Sequence, residues 1–331
     1  MVCLVLAAGM AVVVKACDLV PSLTMPGESY VGPLPELSEE QAVLAEDLRR
    51  DVEMLAGRIG QRNLLHYQRL VRAAEWLEQS LRAAGYDPQR QTYTVQGKAV
   101  WNIVAEVAGH TLPDQILVVG AHYDTVVGSP GANDNGSGVA ATLALARSFA
   151  GRQPARTVRF ALFVNEEPPY FQTEAMGSLV YARECRRRGD NIVAMFSLET
   201  IGYYNDRPGS QQYPWPLAAV YPSTGNFIAF VGNTASAHLV KQVVESFRRH
   251  ARFPSEGGAL PGIIPGVGWS DHWSFWQAGY PALMVTDTAP FRYPHYHSPA
   301  DTPDKLDYER TARVVAGLDK VLDELANPQP E

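Results

Sequence analysis

Apolar positions along the chain alternate between a helical and a strand period. From Ser38 the segment LAEDLRRDVEMLA repeats its apolar residues at helical spacing. Ser38 stands at the N-cap and Glu39 and Glu40 fill the first turn, so a helix is predicted to about Ala56. A second amphipathic helix is predicted over 65–84, closed by Gly85. Strands are predicted over 92–95 and 100–107, hairpin-paired around Gly97. The segment ILVVG, 116–120, is apolar throughout, as a strand covered on both faces must be. Further strands are predicted over 158–164, 192–198, 227–231 and 282–285. Helices are predicted over 136–150, 176–188, 238–250, 271–278 and 308–325. Segments 205–222 and 252–268 are rich in Pro and Gly and are predicted to be irregular. Strands alternating with helices of this length specify the α/β class, as a three-layer α/β/α sandwich around a mixed, mostly parallel central sheet.

Composition and charge narrow the picture. In 331 residues no linker interrupts 38–326, so one domain is expected there, although the length alone would allow two. Residues 17–37 form an extended arm and 327–331 a tail. Residues 1–16 differ: the run from Val2 to Val14 is apolar or glycine and ends at Lys15, too short to span a bilayer but suited to the core of an export signal. Val14, Ala16 and Cys17 fit a cut before Cys17 or, loosely, a lipid-attachment site. Export is therefore expected (periplasmic, lipoprotein or secreted), with no other membrane insertion. The competing reading is an apolar strand or tail of a cytosolic protein. Asp and Glu number 35 against 28 Lys and Arg, and that acidic excess argues against a nucleic-acid partner. Three cysteines without a C-x-x-C pair exclude a disulfide scaffold and a cysteine-based zinc finger.

Candidate chemistry gathers beyond strand ends, where open α/β sheets bind their ligands. ILVVG runs into A-H-Y-D, placing His122 and Asp124 at its exit, and Asp134 follows in G-A-N-D-N-G-S-G. The strand VRFALFV runs into N-E-E, with Glu166 and Glu167. IVAMFSL runs into Glu199. ALMV leads through a loop to His297 and Asp301. Each alone reads as a structural histidine, a helix cap or a solvated turn. Together, two histidines and three carboxylates can give each of two zinc ions one His and one terminal carboxylate, with a third carboxylate bridging.

The motifs AHYDT, GANDNGSG, FVNEE, SLETIGYY, SDHWSFWQAGYPA and HYHSPADTPDKLD, in that order across 38–326, resemble the co-catalytic di-zinc aminopeptidases of peptidase clan MH, relatives of glutamate carboxypeptidase and glutaminyl cyclase. The resemblance implies a metallo-aminopeptidase with two Zn2+ per chain, acting on peptides with a free N-terminus. It implies His122, Asp134 (bridging), Glu167, Glu199 and His297 as metal ligands, Glu166 as general base, and Asp124 as the acid that orients His122. It also implies a cis peptide after Asp134. Two positions depart from the pattern: Glu199 stands where many relatives have Asp, and Val267 where some have an oxyanion-binding Tyr. Tyr296 matches the position others use for that role; as an alternative it is an aromatic wall. Two readings compete with the aminopeptidase: a one-zinc glutaminyl cyclase, and a metal-free receptor-like domain.

Other patterns carry less. Gly136-Ser137-Gly138-Val139-Ala140-Ala141 imitates a dinucleotide fingerprint but does not directly follow its strand. H-E-x-x-H and G-x-S-x-G are absent from the sequence. Ser270-Asp271-His272 is expected to cap and brace a helix beside the site. His66, His110, His238, His250 and His295 are expected at the surface or in packing. Of Tyr170, Phe171, Trp273, Trp276, Phe291 and Tyr293, most are expected in the core and two or three around a side-chain pocket.

Overall fold

A computed structural model describes residues 23–329. The expected export segment, 1–16, lies outside the described residues, as do Cys3 and Cys17. Among the described residues no helix is long and apolar enough to cross a membrane. Helix α1 (Glu39–Val52) opens with a capping box: Ser38 Oγ accepts the Gln41 N–H while Gln41 Oε1 accepts the Ser38 N–H. The chain continues in a wider helical turn, Glu53–Ile59, and ends at Gly60 with φ 77°. Helix α2 (Tyr67–Ala83) follows a short turn whose first N–H groups are taken by Asn63.

The strands β1 (Gln89–Val95), β2 (Lys98–Val107), β3 (Leu112–His122), β4 (Arg156–Phe163), β5 (Asn191–Glu199), β6 (Ile228–Asn233), β7 (Ser255–Leu260) and β8 (Ala282–Thr286) form one sheet in the order β1-β2-β4-β3-β5-β8-β6-β7. The pairings β4–β3, β3–β5, β5–β8 and β6–β7 are parallel; β1–β2, β2–β4 and β8–β6 are antiparallel. The sheet is the mixed, mostly parallel one the sequence predicts. Helices α3 (Gly138–Phe149), α5 (Ala237–His250) and α7 (Tyr308–Ala326) join α1 and α2 on one face, and α4 (Gly177–Arg188) and α6 (His272–Gln277) cover the other. Strand β3 shows why its core must be apolar throughout: Leu117 and Val119 pack with the first helix layer, Ile116 and Val118 with the second.

One expectation is corrected. Segment 252–268 is not wholly irregular, because Ser255–Leu260 is the edge strand β7. Its glycines hid it, since Gly weakens a strand's signature. The arm shields that edge: Ser29 Oγ accepts the Ser255 N–H, and Met25 packs against Gly257. Segment 205–222 is irregular as expected, apart from a short turn at Leu217–Ala219.

Candidate metal centre and substrate cleft

Every predicted site residue converges at the carboxyl ends of the central strands. His122 ends β3, Glu166 and Glu167 follow β4, and Glu199 ends β5. Asp134 comes from the loop between β3 and α3, and His297 from the long connection between β8 and α7. Two triads result: His122, Asp134 and Glu199, and Asp134, Glu167 and His297, with Asp134 common to both. His122 Nε2 lies 3.3 Å from Asp134 Oδ1 and 3.3 Å from Glu199 Oε2. His297 Nε2 lies 3.0 Å from Asp134 Oδ2 and 3.2 Å from Glu167 Oε2. Glu166 Oε2 belongs to neither triad but stands 3.8 Å from His122 Nε2. All are buried except His297, which is partly exposed.

The backbone turns hard to deliver these groups. Asn165, Thr200 and His297 have φ of 60°, 47° and 53°, a region non-glycine residues rarely occupy outside over-determined sites. The Asp134–Asn135 peptide is cis, as the resemblance implies. The asparagines flanking Asp134 pin its loop. Asn133 donates to Asp287 Oδ2 at 2.9 Å and accepts the Gly202 N–H at 2.9 Å. Asn135 donates to Leu198 O at 2.8 Å and to Glu199 Oε2 at 3.2 Å.

Asp124 accepts the N–H groups of Glu166 and Glu167, at 3.1 and 3.2 Å, and stands 3.6 Å from His122 Nδ1. One carboxylate thus registers the β3 exit against the β4 exit. The expected helix-capping role of the Ser-Asp-His stretch is corrected. Ser270 donates to Glu199 Oε2 at 2.8 Å, and Asp271 makes no side-chain cap bond. Tyr296 stacks on the His297 ring, with centroids 3.9 Å apart, and lines the cleft beside Glu199.

Sequence reading missed Arg62. It is fully buried and gives its guanidinium N–H groups to the carbonyls of Tyr123, Leu55, Gly60, Pro130 and Gly131. Burial lowers its pKa to about 10, against the raising field of Asp124, Asp301, Asp134 and Glu167. An arginine between two helices carries no motif, so no signal in the sequence marks it.

The electrostatics fit bound cations. Burial raises the Glu166 carboxyl well above its ordinary range; His122 opposes this and the carboxylates of Glu199 and Glu167 add to it. Burial and the Asp134 charge push Glu167 up to about 7. Burial alone would lower His297, but Asp134 and Glu167 outweigh it and raise it to about 10. Asp134 Oδ2 is buried without a well-directed hydrogen bond among the described residues. Carboxylates this crowded need positive charge, and a mixed imidazole and carboxylate donor set suits a borderline divalent ion such as zinc.

The model of peptidase family M28 matches residues 102–321. The chain belongs to peptidase family M28. This M28 peptidase is 36% identical over 300 residues to the uncharacterized protein YfbL of Escherichia coli (strain K12), covering 88% of the chain and 91% of that protein. Its fold resembles that of BSAP, a zinc aminopeptidase from Bacillus subtilis, with a TM-score of 0.67 and 15% identity over 89% of the chain and 97% of that structure. It also resembles Fimbriiglobus ruber glutaminyl cyclase, with a TM-score of 0.63 and 21% identity over 91% and 99%.

The peptidase has a cleft beside this cluster, about 820 Å³ when the space open to solvent is counted. Residues of β8, β6 and β7 form its floor, and its walls come from the irregular segments. Of the aromatics flanking the site in sequence, Phe291 lines this cleft, with Tyr213, Tyr221 and Trp269 besides. Tyr170 lines a second hollow on the Glu167 and Asp124 side.

Proposed function

We propose that this M28 peptidase is an aminopeptidase carrying two zinc ions, one held by His122, Glu199 and Asp134 and the other by Asp134, Glu167 and His297. The observation that carries the reading is the pair of triads sharing Asp134. Bound zinc would act as a Lewis acid that activates a water and polarises the scissile carbonyl. Glu166, beside the triads but in neither, accepts the proton of the attacking water and returns it to the leaving amine. Burial raises its carboxyl above the ordinary range, the direction that makes a carboxylate a better proton acceptor. Asp124 keeps His122 and the two glutamates in register. Tyr296, whose phenol burial and nearby carboxylates keep protonated, donates to the developing oxyanion.

The acidic surroundings favour a substrate with a free α-amine, and holding that amine beside the scissile bond makes the enzyme an exopeptidase. Completeness of both triads favours two metals over the single zinc of a cyclase, and over a metal-free receptor. Export remains part of the proposal on the apolar run from Val2 to Val14. The test is hydrolysis of aminoacyl p-nitroanilides beside their N-acetyl counterparts, with and without chelator. Turnover confined to the free-amine series and abolished by chelator is expected; equal cleavage of the acetylated series would overturn the exopeptidase assignment.

A further inference from the structure

The register of the sheet joins the metal cluster to a second carboxylate. Glu199 on β5 pairs with Thr286 on β8, Thr286 with Ala229 on β6, and Ala229 with Glu256 on β7. Residues paired across neighbouring strands point to the same face, and all four line the cleft. Three strand spacings of ~4.7–4.9 Å set Glu256 about 14 Å from Glu199 along this row.

Alternation along β7 fixes the direction of Glu256. A Cβ on Gly257 would meet Val244 of α5 at 2.8 Å and Met25 at 2.9 Å, so that position faces the helix layer. A Cβ on Gly258 would meet the Tyr221 hydroxyl at 2.6 Å, so that position faces the cleft. Glu256, two residues before Gly258, shares the cleft face.

Glu256 has no partner there. It is half-buried, and among the described residues its carboxylate makes no hydrogen bond or ion pair. Arg248 acts on it only through its field, because its guanidinium is given to the carbonyls of Pro26, Gly27 and Ser255. The hydroxyls of Tyr213 and Tyr221 are engaged with Pro222 O and Gly257 O. The surroundings are otherwise apolar and aromatic, with the Tyr213 and Tyr221 rings stacked at 5.7 Å. A carboxylate left unpaired in such a place is costly, and burial raises its pKa against the weaker pull of Arg248.

We infer that Glu256 selects substrates whose N-terminal residue is lysine or arginine, receiving the side-chain cation at the far end of the cleft. This rests on the aminopeptidase reading above. The cation cannot be the substrate's α-amine, which sits one bond from the Cα beside the reacting carbonyl, at the Glu199 end. A long aliphatic stem lies along Ala229 and the aromatic walls, which suit methylenes and cations alike. Norleucine would fill the same space and leave Glu256 unpaired.

The experiment compares lysine, arginine and norleucine p-nitroanilides on the wild-type enzyme and on Glu256→Gln. Direct binding of lysinamide and norleucinamide to both proteins is measured by calorimetry alongside. A charge-assisted hydrogen bond predicts that the wild type prefers lysine over norleucine by about 10–100-fold in kcat/KM, and that E256Q brings the ratio near one. Equal use of lysine and norleucine by the wild type, with the ratio unmoved in E256Q, would overturn the inference and leave the aminopeptidase reading standing. If no free-amine substrate turns over, that reading fails, and binding decides the cleft alone. Tighter binding of lysinamide that E256Q removes then supports the Glu256 assignment, and equal affinities overturn it.

Discussion

Asp301 accepts the backbone N–H of Asp134 at 3.1 Å, with its other oxygen on the N–H of Asn133 at 2.8 Å. Tyr293 donates to the same carboxylate at 2.8 Å. The loop carrying the shared carboxylate is therefore fixed by the segment that carries His297, four residues away in sequence. Asp301→Ala should free that loop and weaken zinc binding by about 10–100-fold, the range for groups that support metal ligands. Competition with a chromogenic chelator measures this, and wild-type zinc affinity in the variant would contradict the bracing role.

Glu166 and Glu167 are adjacent yet divided in geometry, since only Glu167 belongs to a triad. Glu166→Gln should keep its metals and near-normal KM while kcat falls by roughly 10²–10⁴-fold. Glu167→Ala should lose metal first. Zinc content measured beside kcat separates them, and the reverse pattern would exchange their roles.

Arg62→Met should destabilise the fold by about 3 kcal/mol or more, because several backbone carbonyls lose their donor inside the protein. The urea midpoint reads this directly. An unchanged midpoint would mean that those carbonyls find other donors.

Much of this architecture is legible from residues alone. The unbroken apolar run of β3 announces a doubly covered strand, and His122, Asp134, Glu167, Glu199 and His297 stand where strand-exit logic places them. What escapes has physical reasons. Gly257 and Gly258 lack side chains because α5 and Tyr221 press on β7, and the same absence erases the strand pattern. Arg62 answers to carbonyls on distant loops, which no local period encodes. The link from Glu199 to Glu256 depends on sheet order, with β6 and β7 placed beyond β8 against their order in the chain.

Asp190 sets an acid limb on stability away from the centre. Burial alone would raise its carboxyl, but hydrogen bonds from Arg188 and Arg159 outweigh it and hold it at about 2, below the ordinary 3.8. Because the folded value is depressed, its contribution is present above the unfolded value and is lost as pH falls from about 4 to about 2. Asp190→Asn should therefore be less stable than the wild type near neutrality, with the difference shrinking across that window. Urea unfolding at a series of pH values checks it; a constant difference would show that the ion pairs contribute nothing.

Anomalous diffraction at the zinc edge tests the central claim most directly. Two peaks are predicted, one among His122, Asp134 and Glu199 and one among Asp134, Glu167 and His297, with Asp134 touching both. A single peak, or peaks coordinated by other side chains in crystals grown with excess zinc, would contradict the two-zinc account.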